Sequence, residues 1–122
     1  MAPRRGFLHW AQLDKRRPAL VVSPDERNAF ANDIVVVPFT RTRRLGPWHV
    51  ALARGEGGLP RASVAKCELV MTLPKENLDE TPIGGPLRRE RMLEVERALL
   101  FALGIRPSAL EQHLEWFKAQ PH

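Results

Sequence analysis

The sequence of this 122-residue chain predicts an α+β fold, in which short antiparallel strands curl into a small barrel and helices follow. Two apolar stretches, 19–22 and 34–37, lack alternation and are typical of strands buried on both faces. Apolar residues recur at helical spacing through 87–103, and Gly104 follows as a stop signal. Strands that precede helices favour an antiparallel sheet, and closing such a sheet into a barrel removes its exposed edges.

The remaining elements follow from turn signals and periodicity. We expect strands at 7–13, from about Pro18, at 34–37, at 48–53 and at 63–73. Between the second and third strands lies a polar loop from which Phe30 is expected to pack inward. Ser108 and Glu111 have the spacing of a capping box, which predicts a second helix. The inner face of that helix is expected to carry Leu110, Leu114 and Phe117.

Composition restricts the class of partner and the compartment. The formal charge of +5 and a pI near 10.3 favour an anionic partner, of which nucleic acid is the commonest and an acidic protein the next. The single cysteine, Cys67, excludes an internal disulfide and a cysteine-based zinc site. No apolar run is long enough to cross a bilayer, and none follows the basic N-terminus as in a signal peptide. We therefore expect a cytoplasmic protein without a membrane partner.

Two polar residues at strand ends are the candidates for catalysis. Arg17 stands where the second strand begins, and Thr40 stands where the third strand ends. If these strands are neighbours, a permanent cation and a hydroxyl meet at one rim of the sheet. Cleavage of RNA by its own 2′-hydroxyl needs a group that stabilises charge on the phosphorus oxygens, which suits arginine. A threonine can orient the attacking hydroxyl or relay its proton, and no metal is required.

Proton transfer also has candidates, because histidine titrates near neutral pH. His9 and His49 lie in predicted strands and can form an acid–base pair if those strands are adjacent. The alternative is that each is an ordinary strand histidine with a hydrogen-bond partner.

A basic cluster lies around the predicted rim and can hold an RNA backbone. It comprises Arg16, Arg41, Arg43 and Arg44. Trp10 and Trp48 can stack on unpaired bases. A solvated loop is the alternative for the arginines after Thr40, and core or interface packing is the alternative for both tryptophans.

Seven stretches, in order and spacing, resemble the MazF/PemK family of toxin ribonucleases. They are 6–13, 17–23, 37–40, 48–50, 58–60, 63–65 and 102–105. The resemblance implies an SH3-like, MazF/CcdB-like barrel with a C-terminal helix, and a homodimer. It also implies metal-independent cleavage of single-stranded RNA, no cofactor, and an antitoxin that covers the RNA site. Arg17 and Thr40 fall on the catalytic arginine and threonine of the family.

The chain departs from the family pattern at several places. Phe7 stands where relatives carry an acidic residue, and 14–16 replaces a longer loop that contains another acidic group. Leu69 and Met71 stand where relatives often carry glutamine and arginine. We expect one domain, 1–122, in which 106–122 is a C-terminal helical extension. Two alternatives stay open, namely a non-catalytic RNA- or protein-binding module and a gyrase poison like CcdB that acts through Trp116 and Phe117.

Overall fold

A computed structural model describes residues 2–42 and 45–121. Within those ranges it contains six strands, which are β1 Leu8–Gln12, β2 Arg16–Val21, β3 Asp33–Thr40, β4 His49–Leu52, β5 Ser63–Lys66 and β6 Met71–Pro74. The α-helices are α1 Asp25–Phe30, α2 Arg89–Ala102 and α3 Pro107–Ala119. No helix in the described ranges is long and apolar enough to span a membrane. The expected α+β class, an antiparallel sheet followed by helices, is confirmed.

The eight-residue strand β3 organises the sheet, because all its neighbours pair antiparallel to it. β2 lies along one edge of β3, while β6 and β5 pair with successive parts of β3. The single strand expected over 63–73 is therefore wrong. A 3-10 turn at Cys67–Leu69 interrupts it, and the Val70 N–H closes that turn on the Cys67 carbonyl.

The expected closure of the sheet into a barrel is also wrong. The strand order is β1-β2-β3-β5-β4, so β1 and β4 end the path and do not pair with each other in the described ranges. The segment 78–87 covers the free edge of β1 instead. Its N–H groups donate to carbonyls of β1, from Asp79 to Trp10 and from Ile83 to Leu8, and Leu87 donates to Gly6, two residues before β1. The edge groups are thus satisfied by an irregular segment rather than by a strand.

Apolar side chains fill both faces of the β2–β3 pair, as expected from the absence of alternation. Leu20 lies opposite Val37 and belongs to a cluster that α2 covers through Val95 and Ala98. Val21 lies opposite Val36 and belongs to a second cluster on the other face. Because both faces are packed, the rim residues at the ends of β2 and β3 sit on rigid strands.

Two expectations about packing are corrected. Phe30, expected inside, is 89% exposed at the end of α1. Asn28 takes the buried position and bonds to Ser23, so the short helix is anchored by an amide rather than by an aromatic ring.

The capping box at Ser108 is also wrong. α3 begins at Pro107 after Arg106, and no side chain caps it. Of its three expected inner residues, Leu110 is half-buried, whereas Leu114 and Phe117 are 49% and 48% exposed.

Candidate active site

The register between β2 and β3 brings Arg17 and Thr40 together. Ala19 lies opposite Pro38 in the last pair at this end of the β2–β3 ladder, and continuing that register by two residues would place Arg17 level with Thr40. Directly opposed residues of an antiparallel pair project on the same face of the sheet. Arg17 is also opposite Ala11 in β1, and Thr40 is opposite Val64 in β5, so neighbouring strands hold both residues.

A cationic groove of about 690 Å³ runs past this pair. Its lining includes Lys15, Arg16, Arg17, Arg41, Arg61 and Lys66, and none of the described residues that line it is acidic. Trp10, Pro18, Phe39 and Pro60 supply its apolar surface. A groove of this composition suits a chain that alternates phosphates with aromatic bases, because the cations attract the phosphates and the apolar walls accept the bases.

A second groove of about 560 Å³ lies on the other side of the pair and is mostly apolar. Leu13, Pro38, Leu69 and Met71 form its walls, and Asp14 is its acidic residue. Arg17, Thr40 and Lys66 line both grooves. The candidate catalytic pair therefore stands on the ridge between a cationic and an apolar surface.

Asp14 holds the guanidinium of Arg17 through two hydrogen bonds. Arg17 Nε donates to Oδ1 at 2.9 Å, and Nη2 donates to Oδ2 at 3.0 Å. The bond from Arg17 lowers the pKa of Asp14 to about 2, and the same bond raises the pKa of Arg17. The short loop between β1 and β2 thus supplies a carboxylate that binds the arginine. Both bonds use one edge of the guanidinium, so its Nη1 side is not occupied by Asp14.

Arg16, predicted to bind the RNA backbone, is anchored differently from Arg17, which was predicted to be catalytic. Its Nη1 and Nη2 donate to the two carboxylate oxygens of Asp79 at 3.2 and 2.6 Å. Its guanidinium also lies over the ring of Trp10, 5.3 Å from the centroid. Arg16 and Trp10 both line the cationic groove, so a cation over an aromatic ring lies there, and Asp79 partly balances its charge.

His9 and His49 do not meet, and neither lines the two grooves at Arg17. His9 is 2% exposed, and its Nδ1 donates to the Asp79 carbonyl at 2.7 Å. His49 accepts the Gly46 N–H at Nδ1 and donates from Nε2 to Glu68 at 2.9 Å. The acid–base pair is therefore corrected, because β1 and β4 lie at opposite ends of the strand path.

Trp48 is also absent from the lining of both grooves. Its ring packs 5.8 Å from that of Phe101, at the end of α2, and 6.1 Å from that of His49. The predicted stacking on RNA is corrected to packing against α2. Arg41 does line the cationic groove, whereas Arg43 and Arg44 lie outside the described residues.

Sequence reasoning missed several groove residues, among them Arg61, Ser63 and Lys66. Lys66 carries a detectable signal, because it is a charged residue within an otherwise apolar stretch, 64–67. Arg61 has no such signal, since only the fold brings the loop before β5 to the rim. Among the described residues, no group of three or more histidine, cysteine, aspartate and glutamate side chains is arranged to hold a metal ion.

Comparison with known proteins identifies the group to which this architecture belongs. Residues 4–103 match the family model of PemK-like, MazF-like toxins of type II toxin–antitoxin systems. The chain belongs to this family. The match includes β1 to β6 and α2, and it ends before α3.

Individual MazF proteins are similar over nearly their whole length. Endoribonuclease MazF1 of Mycobacterium bovis is 31% identical over 105 residues, which are 85% of this chain and 95% of that protein. Endoribonuclease MazF4 of Mycobacterium tuberculosis has the same identity and coverage.

Solved MazF structures agree with the fold. An endoribonuclease from a mycobacterial species, in complex with its cognate antitoxin, superposes with a TM-score of 0.74. It is 31% identical and covers 86% of this chain and 98% of its own. The toxin MazF-mt6 of Mycobacterium tuberculosis has a TM-score of 0.74 and 28% identity, with coverage of 82% and 98%.

Proposed function

We propose that this chain is an endoribonuclease toxin of a type II toxin–antitoxin pair and that it cleaves single-stranded RNA without a metal. Membership of the family and the similarity to proteins named endoribonuclease MazF support RNA cleavage. The placement of Arg17 and Thr40 on the ridge between the two grooves carries the assignment of the site. The alternatives, a binding module and a gyrase poison, give this juxtaposition no chemical role.

Arg17 stabilises the negative charge that builds on the phosphorus oxygens as the 2′-hydroxyl attacks. Its side chain is 22% exposed, so the cation is partly withdrawn from water and acts more strongly there. A donor of this type contributes about 3–4 kcal/mol to transition-state binding. Asp14 holds one edge of the guanidinium, which leaves the Nη1 side for the phosphate.

Thr40 orients the attacking 2′-hydroxyl, and Lys66 protonates the departing 5′-oxygen. Thr40 ends β3 and lines both grooves together with Arg17, so its hydroxyl can contact the sugar of a phosphate that Arg17 binds. Lys66 lines both grooves, and its ammonium can donate a proton to the 5′-oxygen that leaves. Asp14 is a poor general base, because its pKa is lowered to about 2.

Partners follow from the charge of the groove. The cationic lining binds the RNA backbone on both sides of the scissile bond. An acidic antitoxin inhibits by covering the same cations, in keeping with the similar endoribonuclease that was solved with its cognate antitoxin. We further propose a homodimer that acts in the cytoplasm, where its RNA substrate is present.

The test is cleavage of a mixed-sequence single-stranded RNA by the purified chain in excess chelator. The proposal expects products with a 2′,3′-cyclic phosphate and a 5′-hydroxyl, because the 2′-hydroxyl is the nucleophile. Binding without cleavage would favour the binding module. Inhibition of DNA supercoiling by gyrase without RNA cleavage would favour the gyrase poison.

A further inference from the structure

The guanidinium of Arg16 is held between two partners at the edge of the cationic groove. Nη1 and Nη2 donate to the two carboxylate oxygens of Asp79, and Cζ lies 5.3 Å from the centroid of the Trp10 ring. A two-point pair with a carboxylate fixes the plane of an arginine head group as well as its position. Arg16 therefore reaches the groove as an oriented plane rather than as a mobile charge.

The segment that carries Asp79 is itself fixed to β1. The Asp79 N–H donates to the Trp10 carbonyl at 2.9 Å, and Nδ1 of His9 donates to the Asp79 carbonyl at 2.7 Å. His9 is 2% exposed, so water has little access to that bond. Residues of β1 thus hold the indole and the carboxylate in place, and the unit of Trp10, Arg16 and Asp79 is organised before RNA arrives.

A large part of the Arg16 side chain stays accessible despite both partners. It is 55% exposed, and both Arg16 and Trp10 line the cationic groove. Asp79 contacts the end of the guanidinium, and Trp10 covers one face of it. Among the described residues no second ring lies on the opposite face, so that face is open to the groove.

This arrangement suits a base better than a phosphate. The Asp79 carboxylate partly balances the charge of Arg16 and occupies both of its terminal nitrogens, which are the donors that a phosphate needs. The flat face of the guanidinium remains, and unpaired bases stack on arginine planes as they do on aromatic rings. An ion pair this exposed adds little to stability, so its main consequence is the orientation of that face.

The sequence places this face close to the catalytic arginine. Arg16 and Arg17 are consecutive residues of β2, with their Cα atoms about 3.8 Å apart. Both side chains line the cationic groove. A strand whose phosphate binds Arg17 therefore passes beside the open face of Arg16.

We propose that Trp10, Arg16 and Asp79 form a stacking platform for one base of the RNA strand, beside the phosphate that Arg17 binds. The platform rests on the proposed function, because it concerns the same RNA. The base lies on the open face of the guanidinium, and Trp10 supports the other face. Because every base has a π face, the platform fixes where the base lies with little regard to which base it is.

Binding of a strand that cannot be cleaved tests the platform apart from catalysis. The probe is a single-stranded RNA of defined sequence, 2′-O-methylated throughout, which lacks the nucleophile. Arg16→Lys keeps the charge and loses the plane, so it is expected to weaken binding about 10-fold, as much as Arg16→Ala. The control is Arg27→Lys, which is expected to leave the affinity unchanged. Arg27 also pairs with a carboxylate, that of Asp33 at 2.6 Å, but it lines neither groove.

A scan with abasic nucleotides identifies the stacked base. Each probe lacks one base and keeps all its phosphates, so contacts with the backbone are unchanged. For the wild-type chain, one abasic position is expected to lower the affinity about 10-fold. For Arg16→Ala the same position is expected to lower it by less than about 2-fold, because the two changes remove one contact.

Three results would overturn the platform. Wild-type affinity of Arg16→Lys would make Arg16 a point charge. A salt slope reduced by about 0.7 in Arg16→Ala would make it a phosphate contact. An abasic effect that persists in full in Arg16→Ala would place the base elsewhere.

Failure of the platform can be told from failure of the proposed function. The platform fails alone if the wild-type chain cleaves unmodified RNA in chelator while any of these three results holds. The proposed function fails alone if the wild-type chain binds RNA without cleaving it and the binding results follow the platform. Both fail if the wild-type chain binds neither the methylated strand nor its unmodified counterpart.

Discussion

Arg17 and Asp14 form a two-point ion pair at the end of β2, with Nε and Nη2 of the guanidinium donating to the two carboxylate oxygens over 2.9 and 3.0 Å. Asp14 is 69% exposed, so water screens its charge and limits how far it cancels that of Arg17. The fixed geometry of the guanidinium is therefore the main consequence of the pair. A positioned cation acts on a phosphate more effectively than a mobile one, because its side chain has already lost the conformational entropy that binding would otherwise cost.

The first prediction concerns that positioning. Asp14→Asn is expected to lower kcat about 10-fold with little change in KM, because the amide cannot accept both guanidinium bonds and Arg17 loses its orientation. Single-turnover cleavage and steady-state kinetics measure the two parameters. Asp33→Asn is the matched control, since Asp33 pairs with Arg27 at 2.6 Å and lines neither groove. A faster Asp14→Asn variant would show that Asp14 competes with RNA for Arg17.

The second prediction concerns the pH dependence of the pair. Arg17 lowers the pKa of Asp14 from 3.8 to about 2, so the stabilisation by the carboxylate is fully present above pH 3.8. It is lost as the pH falls from there towards 2. The ratio of wild-type to Asp14→Asn cleavage rates is therefore expected to stay constant from about pH 5 to 9. A ratio that falls towards 1 at the acid end of this range would contradict the ionised pair.

The third prediction concerns the cationic groove. Lys66→Ala is expected to weaken RNA binding and to reduce the slope of log affinity against log salt by about 0.7, the value for one phosphate contact on a single strand. Binding titrations over a range of salt concentrations measure this slope. Lys75→Ala is the control, because Lys75 lies in the 3-10 turn after β6 and lines neither groove. Equal slopes for both variants would show that RNA passes elsewhere.

The fourth prediction separates Arg16 from the other cations. Asp79 holds both terminal nitrogens of Arg16, so this arginine releases fewer counterions when RNA binds. Arg16→Ala is expected to change the salt slope by less than Lys66→Ala, measured in the same titrations. A change equal to that of Lys66→Ala would mean that RNA displaces Asp79 and binds the guanidinium directly.

The fifth prediction concerns the buried thiol. Burial raises the pKa of Cys67 from 9.0 to about 12, so the thiol is neutral in the folded chain. The folded chain is expected not to react with a thiol reagent at about pH 8, and the chain in denaturant is expected to react at once. Because the folded pKa is the higher one, the contribution to stability is complete below pH 9 and falls as the pH rises towards 12. Rapid labelling of the folded chain would contradict this burial.

The elements that sequence alone predicts well are those with strong local patterns. The strands at 19–22 and 34–37 and the helix at 87–103 appear as β2, β3 and α2. Burial on both faces and helical periodicity each produce a recognisable pattern of apolar residues. The 3-10 turn at Cys67–Leu69 produces no such pattern. It interrupts a stretch that alternates acceptably, and only the pairing of β5 and β6 with β3 reveals it.

The site was predictable to the extent that it depends on neighbouring strands. Arg17 and Thr40 line the same two grooves because β2 and β3 are paired neighbours, which was the condition stated for their juxtaposition. His49 and Trp48 were misplaced, because β4 lies at the far end of the path and faces α2. Arg61 required the loop before β5 to reach the rim, which is a tertiary arrangement with no local signal.

The central claim, that Arg17 and Thr40 act on one phosphate, is tested most directly by a double-mutant cycle on single-turnover cleavage. Residues that serve one transition state have strongly non-additive effects. Arg17→Ala and Thr40→Ala are each expected to slow cleavage by about 100-fold or more with folding intact, and the double variant is expected to be little slower than the worse single variant. Unchanged cleavage in the single variants, or effects that simply multiply in the double variant, would contradict the claim.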